Sequence, residues 1–339
     1  MPTPAPQAGN KSRLFFIFKI AASVLLLVYV IWTSGLDSAE GREELLNTLR
    51  HVDLFWFTFS VFMGVVLTVI SSWKWQVLLR SKGIEVSLGR LVLFYFIGRF
   101  FNMFLPSSMG GDVVRVWELS RHSGEKYEAI ASVLVERLSG MATLVFVSAA
   151  AVLIELHRYN LPFLTAGVLF LAVMNVVIFW LILDQRLLPL FNHLVGSRFR
   201  PLAILLAKLT RIQDAVREYK DNRIVLVQVF ALSCLFYFLA VVNVWGTALA
   251  FFPDVSFASM LIAVPAIMLV MNLPVSIGGI GLMEAAFAFF FPLFGYTTAL
   301  AVSVALLMRF KNILYGIAGG FLHLTRLRAE PIKNGGAAS

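Results

Sequence analysis

Two interruptions that share one plan constrain this chain more than anything else in it. Residues 102–115 read N-M-F-L-P-S-S-M-G-G-D-V-V-R, and residues 272–284 read N-L-P-V-S-I-G-G-I-G-L-M-E. Each carries an Asn ahead of Leu-Pro, then three residues, Gly-Gly and an acid, and each sits in strongly apolar sequence. Backbone breakers and charges are costly in hydrocarbon. Two such breaks with one spacing read as a duplicated site, and paired interruptions of this kind point to the binding site of a transporter.

The surroundings set the fold class. Of the 339 residues, 59% are hydrophobic and 14% charged, with a mean hydropathy of +0.84. Apolar windows of about 20 residues, enough to cross roughly 30 Å of hydrocarbon as helix, recur along the chain. The expected fold is all-α, a polytopic integral membrane helical bundle. A transmembrane barrel does not fit, because the apolar runs are continuous and do not alternate. The formal charge of +9 gathers in loops between the runs. That placement marks cytoplasmic loops and membrane lipids with anionic headgroups as partners, and no nucleic acid. Cys234 is the sole cysteine, which removes an intrachain disulfide and any cysteine-based metal site.

In chain order, residues 1–13 are Pro-rich and polar and are expected to be disordered. Residues 14–32 form the first span. Basic residues before an apolar core also suit a signal peptide, but the stretch is long and shows no convincing small-x-small cleavage site, so it reads as an anchor. Residues 37–50 form an acidic, amphipathic connector, and further spans fall at 54–73, 129–156, 163–183, 224–252 and 298–324. Between them, residues 91–105 and 257–271 are about 15 residues each, roughly 22 Å of helix and too short to cross. Residues 112–121 and 282–294 read as their returns. Residues 14–325 are thus one transmembrane domain with repeat halves near 91–183 and 224–325 and an amphipathic cytoplasmic segment at 184–223; residues 326–339 are a disordered tail.

Charge decides how the broken segments run. If each crossed the membrane, residues 184–223 would lie outside, carrying Arg186, Arg198, Arg200, Lys208, Arg211, Arg217, Lys220 and Arg223. That violates the positive-inside rule. If both enter and return on one side, six full spans remain and the outside loops hold only Arg42, Arg50 and Arg158. The expectation is six spans and two inverted re-entrant helical hairpins in the plasma membrane, with both termini cytoplasmic. The hairpin turns are Asn102, Pro106, Gly110, Gly111, and Asn272, Pro274, Gly278, Gly279, Gly281. Pro ends an arm without a donor, and Gly-Gly permits a tight reversal with positive φ. Helices that begin just after the glycines present free N–H groups and positive dipole ends near the midplane, which suits an anion.

Arg99, Asp112, Arg115, Glu136, Arg137, Glu284, Arg309 and Lys311 are ionisable residues within or beside these apolar stretches. Charges at such depth are too costly to scatter at random. Arg115, Arg137 and Arg309 read as ligands of a headgroup phosphate, since the guanidinium fork matches an oxyanion. Asp112, Glu136 and Glu284 would orient those cations or accept the positive part of a substrate. An equal reading for Asp112 and Glu136 is that they pair across helices and pin the hairpins. Arg99 and Lys311 suit snorkelling to headgroups, and Asn102 and Asn272 suit capping of the broken arms. The five histidines show no metal spacing, and no Walker A, G-x-S-x-G or dinucleotide fingerprint occurs, so neither a metal, a cofactor nor an ATP-driven pump is expected.

At N-x-x-L-P-x-x-x-G-G-D-x-x-R (Asn102 to Arg115), E-R (Glu136, Arg137) and P-V-S-I-G-G-I-G-L-M-E (Pro274 to Glu284), the chain resembles the lysylphosphatidylglycerol synthase transmembrane-domain family, also called flippase-like domain proteins. The resemblance covers most of the chain and implies lipid movement across a membrane, associated with phospholipid and polyprenyl- or hopanoid-related pathways. Members fused to a soluble aminoacyl-transferase domain make aminoacylated lipid; here only a short tail follows Arg326. The resulting expectation is a non-enzymatic lipid transporter for an anionic or phosphate-bearing lipid. Two alternatives are an integral-membrane enzyme acting on lipid-linked phosphate and an accessory subunit working with lipid-biosynthesis enzymes.

Overall fold

The computed structural model of the protein describes residues 9–33, 35, 37–104, 110–159, 166–167, 170, 173–174, 177, 210–272, 276 and 278–329. Its helices are α1 (Gly9–Thr33), α2 (Ala39–Arg50), α3 (Leu54–Arg80), α4 (Leu88–Asn102), α5 (Gly110–Ser123), α6 (Lys126–Tyr159), α7 (Arg223–Leu249), α8 (Phe257–Met271), α9 (Leu282–Phe290) and α10 (Thr298–Ala329). The chain is a polytopic helical membrane protein. Among the described residues, Leu54–Arg80, Lys126–Ala151, Arg223–Leu249 and Thr298–Arg326 are apolar helices of 27, 26, 27 and 29 residues. Each spans about 40 Å, more than the hydrocarbon needs. α1 adds a further apolar helix of 25 residues. Most of the span expected at 163–183 and most of the segment at 184–223 lie outside the described residues, as do Pro106 and Pro274.

Both short arms form as short helices. α4 and α8 have 15 residues each, and each is followed by a break and a second helix. The first arm starts at Leu88, ahead of the expected 91, because Ser87 and the extended residues before it end the preceding turn. α8 carries Pro265 in its interior, which removes one ladder hydrogen bond.

The chain divides into two compact units, each described by itself. One holds α1, α2, α8 and α9 with residues 241–310; the other holds α4, α5 and α6 with residues 62–105, 109–240 and 311–339. In the second unit, Trp75, Leu79, Leu91, Phe94, Leu119 and Val133 form a buried cluster beneath α4 and α5. In the first unit, Val30 of α1, Ala285 and Ala288 of α9 and Val302 of α10 are packed together. Small residues let α9 approach α1 closely, the usual means by which helices associate in lipid.

Candidate functional site

The first hairpin is built around two glycines that bring its arms into backbone contact. A methyl on Gly111 would come within 2.5 Å of the Gly98 carbonyl oxygen, and one on Gly98 within 2.9 Å of the Gly111 oxygen. Gly110 and Gly111 lie in the first turn of α5 with ordinary helical φ. The expected positive-φ reversal at this Gly-Gly is therefore replaced by close approach: α5 can begin there only because its first turn has no Cβ to clash with α4. Asn102 spans the break. Its Oδ1 accepts from the Gly111 N–H at 2.7 Å, satisfying one of the orphan donors at the start of α5.

Asp112, the third residue of α5, receives two arginines. Arg137 donates to its Oδ2 from Nε and Nη2, both at 2.7 Å, and Arg115 donates to Oδ1 from Nη1 at 3.1 Å. An acid in the first turn also meets the positive end of the helix. Arg115 turns its Nη2 to Glu136 Oε2 at 2.5 Å. Its guanidinium lies 3.7 Å from the Tyr95 ring centroid and 4.3 Å from that of Trp75. The Tyr95 hydroxyl donates to Glu136 Oε1, and Lys74 Nζ stands 3.8 Å from the same oxygen. The group thus holds Lys74, Arg115 and Arg137 against Asp112 and Glu136, one more cation than anion. Ion pairs with this many hydrogen bonds are what makes buried charge tolerable.

The second hairpin reaches a similar pair by a different route. Asn272 donates from Nδ2 to Met268 O at 2.8 Å, so it caps its own helix and does not bridge the break. The turn is made by Gly278, Gly279 and Gly281, with φ of 58°, 74° and 79°, a region that L side chains rarely adopt. Gly281 also sits against α1, where a methyl would come within 2.7 Å of Ser23 O. Its N–H donates to Glu284 Oε2 at 3.0 Å, half of a capping box whose other half glycine cannot supply. Glu284 is the third residue of α9. It takes Arg309 Nε on Oε1 at 2.5 Å and Nη2 on Oε2 at 2.9 Å, while Nη2 also donates to Gly279 O at 3.0 Å.

A common unit emerges from both hairpins. The third residue of the return helix is an acid, and it binds the Nε–Nη2 edge of an arginine 25 residues further on. Among the described residues Nη1 of Arg137 and of Arg309 takes no partner. The Arg137 side chain is 43% exposed and that of Arg309 26%, against 4% for Arg115. Of the three expected phosphate ligands, Arg137 and Arg309 present an open donor edge, and Arg115 sits inside, between two carboxylates and two rings.

The sequence reading missed part of this network. Lys74 falls just past the span expected at 54–73, yet it lies inside α3 and is 7% exposed; nothing in S-S-W-K-W shows which way it turns. Tyr95 carries no signal beyond its place in the short arm. Glu118 was legible, since Asp112, Arg115 and Glu118 are spaced by three on one face of α5; it accepts from Arg326 Nη1 at 2.7 Å. Lys311 does not snorkel: it is 1% exposed, because it falls on the inward face of α10.

The family model described as "Lysylphosphatidylglycerol synthase TM region" matches residues 16–320. A UPF0104 membrane protein of Methanothermobacter thermautotrophicus is 22% identical over 311 residues, covering 86% of this chain and 91% of the relative. UPF0104 membrane protein PH1989 of Pyrococcus horikoshii is 21% identical over 329 residues, covering 90% of this chain and 95% of the relative. No solved structure matches.

Proposed function

The chain belongs to the lysylphosphatidylglycerol synthase TM region family, and from that premise we propose that it moves an anionic or phosphate-bearing lipid between the leaflets of its membrane. The observation that carries this reading is the recurring acid–arginine unit. An acid at the start of a broken helix fixes one edge of a guanidinium and leaves the other edge, with its remaining donors, open. A guanidinium held in this way is oriented in advance, with the donors of Nη1 left for a phosphate oxygen. Asp112 and Glu284 act as positioning residues, and the reading gives Arg137 and Arg309 the contact with the headgroup. Arg115 and Glu136 hold Asp112, and with it Arg137, in place.

The proposal includes a plasma-membrane location with both termini cytoplasmic. Single cysteines at Ser123 and Thr210 in a Cys234→Ala background then label from the same face; labelling from opposite faces contradicts this topology. For the activity, purified protein in liposomes with a headgroup-labelled phospholipid is expected to speed side-switching of the label while the lipid is recovered chemically unchanged. An altered product would turn the reading toward an integral-membrane enzyme. No acceleration for any phosphate-bearing lipid would turn it toward an accessory subunit.

A further inference from the structure

Arg115, Arg137 and Arg309 each face a carboxylate. Arg99 does not. It lies in the last turn of α4, three residues before the Asn102 bridge. It is half-buried, and its Cζ lies 5.0 Å from the ring centroid of Tyr315, over the face of the ring. Among the described residues its side chain makes no hydrogen bond and no ion pair. A guanidinium drawn out of water without an anion is costly to keep.

The ring beneath Arg99 is held firmly. Tyr315 is followed on α10 by Gly316, Gly319 and Gly320, which press the helix onto α4. A methyl on Gly320 would come within 2.7 Å of the Phe100 ring, and methyls on Gly319 and Gly316 would run into the Phe96 carbonyl and the Met103 sulfur. Stacking on an aromatic face uses the flat side of the guanidinium and leaves its five N–H donors around the rim. Directly after the arm, Met103 and Phe104 are 42% and 69% exposed, an apolar border next to an unanswered cation.

We propose that Arg99, stacked on Tyr315, is a separate binding site for a phosphate group, carried by a lipid whose chains lie along Met103 and Phe104. The site requires neither Arg137 nor Arg309, and it stands whether or not the protein moves lipid. Its occupant supplies the anion that α4 lacks, so the lipid helps hold the first arm against α10.

The test is binding, read apart from side-switching. Full-length protein is stripped of lipid in detergent. Native mass spectrometry then measures retention of short-chain phosphatidylglycerol and of a diacylglycerol with the same chains, with inorganic phosphate as competitor. Arg99→Gln is expected to weaken phosphatidylglycerol retention at least tenfold and to leave diacylglycerol unchanged. Arg99→Lys and Tyr315→Leu are each expected to weaken it several-fold, the first by losing the fork and the second by losing the platform. Arg99→Lys keeps the charge and covers the case in which Arg99→Gln does not fold. Competition by inorganic phosphate supports recognition of the phosphate itself, and its absence supports recognition of the lipid-borne group. Wild-type retention by Arg99→Gln or by a folded Arg99→Lys, or equal retention of diacylglycerol, overturns the assignment.

Discussion

The two hairpins hold the same acid–arginine pair by different means. In the first, the pair rests on a second layer of charge: Arg115 and Glu136 bridge beneath Asp112, with Tyr95 and Lys74 at the far carboxylate oxygen. When Asp112 is set on Glu284 and Arg137 on Arg309, the places of Arg115 and Glu136 fall to Phe287 and Met308. The second hairpin has apolar residues at those sequence positions and fixes its acid through backbone: three glycines with positive φ, the Gly281 N–H and the seat against α1. The recurring part is the open guanidinium edge. The variable part is the support, which marks the edge as the feature the two hairpins have in common.

The largest expected effect is on the first hairpin alone. Glu136→Met leaves Arg115 and Lys74 without their shared carboxylate, and breaking a buried pair from one side costs about 3–5 kcal/mol. The loss should appear as a lower unfolding midpoint in detergent. Adding Arg115→Met should recover at least half of it, since an apolar pair is what the second hairpin already has at these places. A double variant no more stable than the single one would show that the charged layer has a further role.

The second hairpin should break at its turn. Gly281→Ala combines a left-handed φ with a clash against Ser23 O, whereas Gly278→Ala meets nothing within 4 Å and carries only the backbone strain, of order 1–3 kcal/mol. Unfolding midpoints should therefore rank wild type, then Gly278→Ala, then Gly281→Ala. Equal midpoints for the two alanines would mean that the seat on α1 is soft.

The smallest difference concerns the two asparagines. Asn102→Ala removes a bond that joins two helices and should cost about 0.5–2 kcal/mol, as a lost cap does. Asn272, exposed and, among the described residues, bonded by its side chain within its own helix, should cost less when changed to Ala. Amide exchange at the start of α5 reports the difference: Asn102→Ala should speed exchange of the Gly111 N–H, and Asn272→Ala should not.

Much of this was legible in the sequence. The apolar runs marked the long helices, and the two short arms stood out because 15 residues cannot cross. The acids and arginines of both units were picked out by the cost of placing charge among apolar residues. The pairing was not legible. An acid and an arginine 25 residues apart meet only once the helices pack, and no periodicity links them. The two Gly-Gly dipeptides looked alike in sequence, yet one serves close approach and the other left-handed backbone, because only the surrounding packing decides whether glycine is needed for space or for φ. Lys74 and Lys311 were placed outward for a related reason: a single charge near the end of an apolar run can face either way.

The claim on which the rest depends is that Arg137 and Arg309 do the same work in the two hairpins. Arg137→Gln and Arg309→Gln, each reconstituted in liposomes and confirmed as folded by its unfolding midpoint, should slow side-switching of a headgroup-labelled phospholipid to a similar degree, at least tenfold. Wild-type rates in either folded variant would contradict the account.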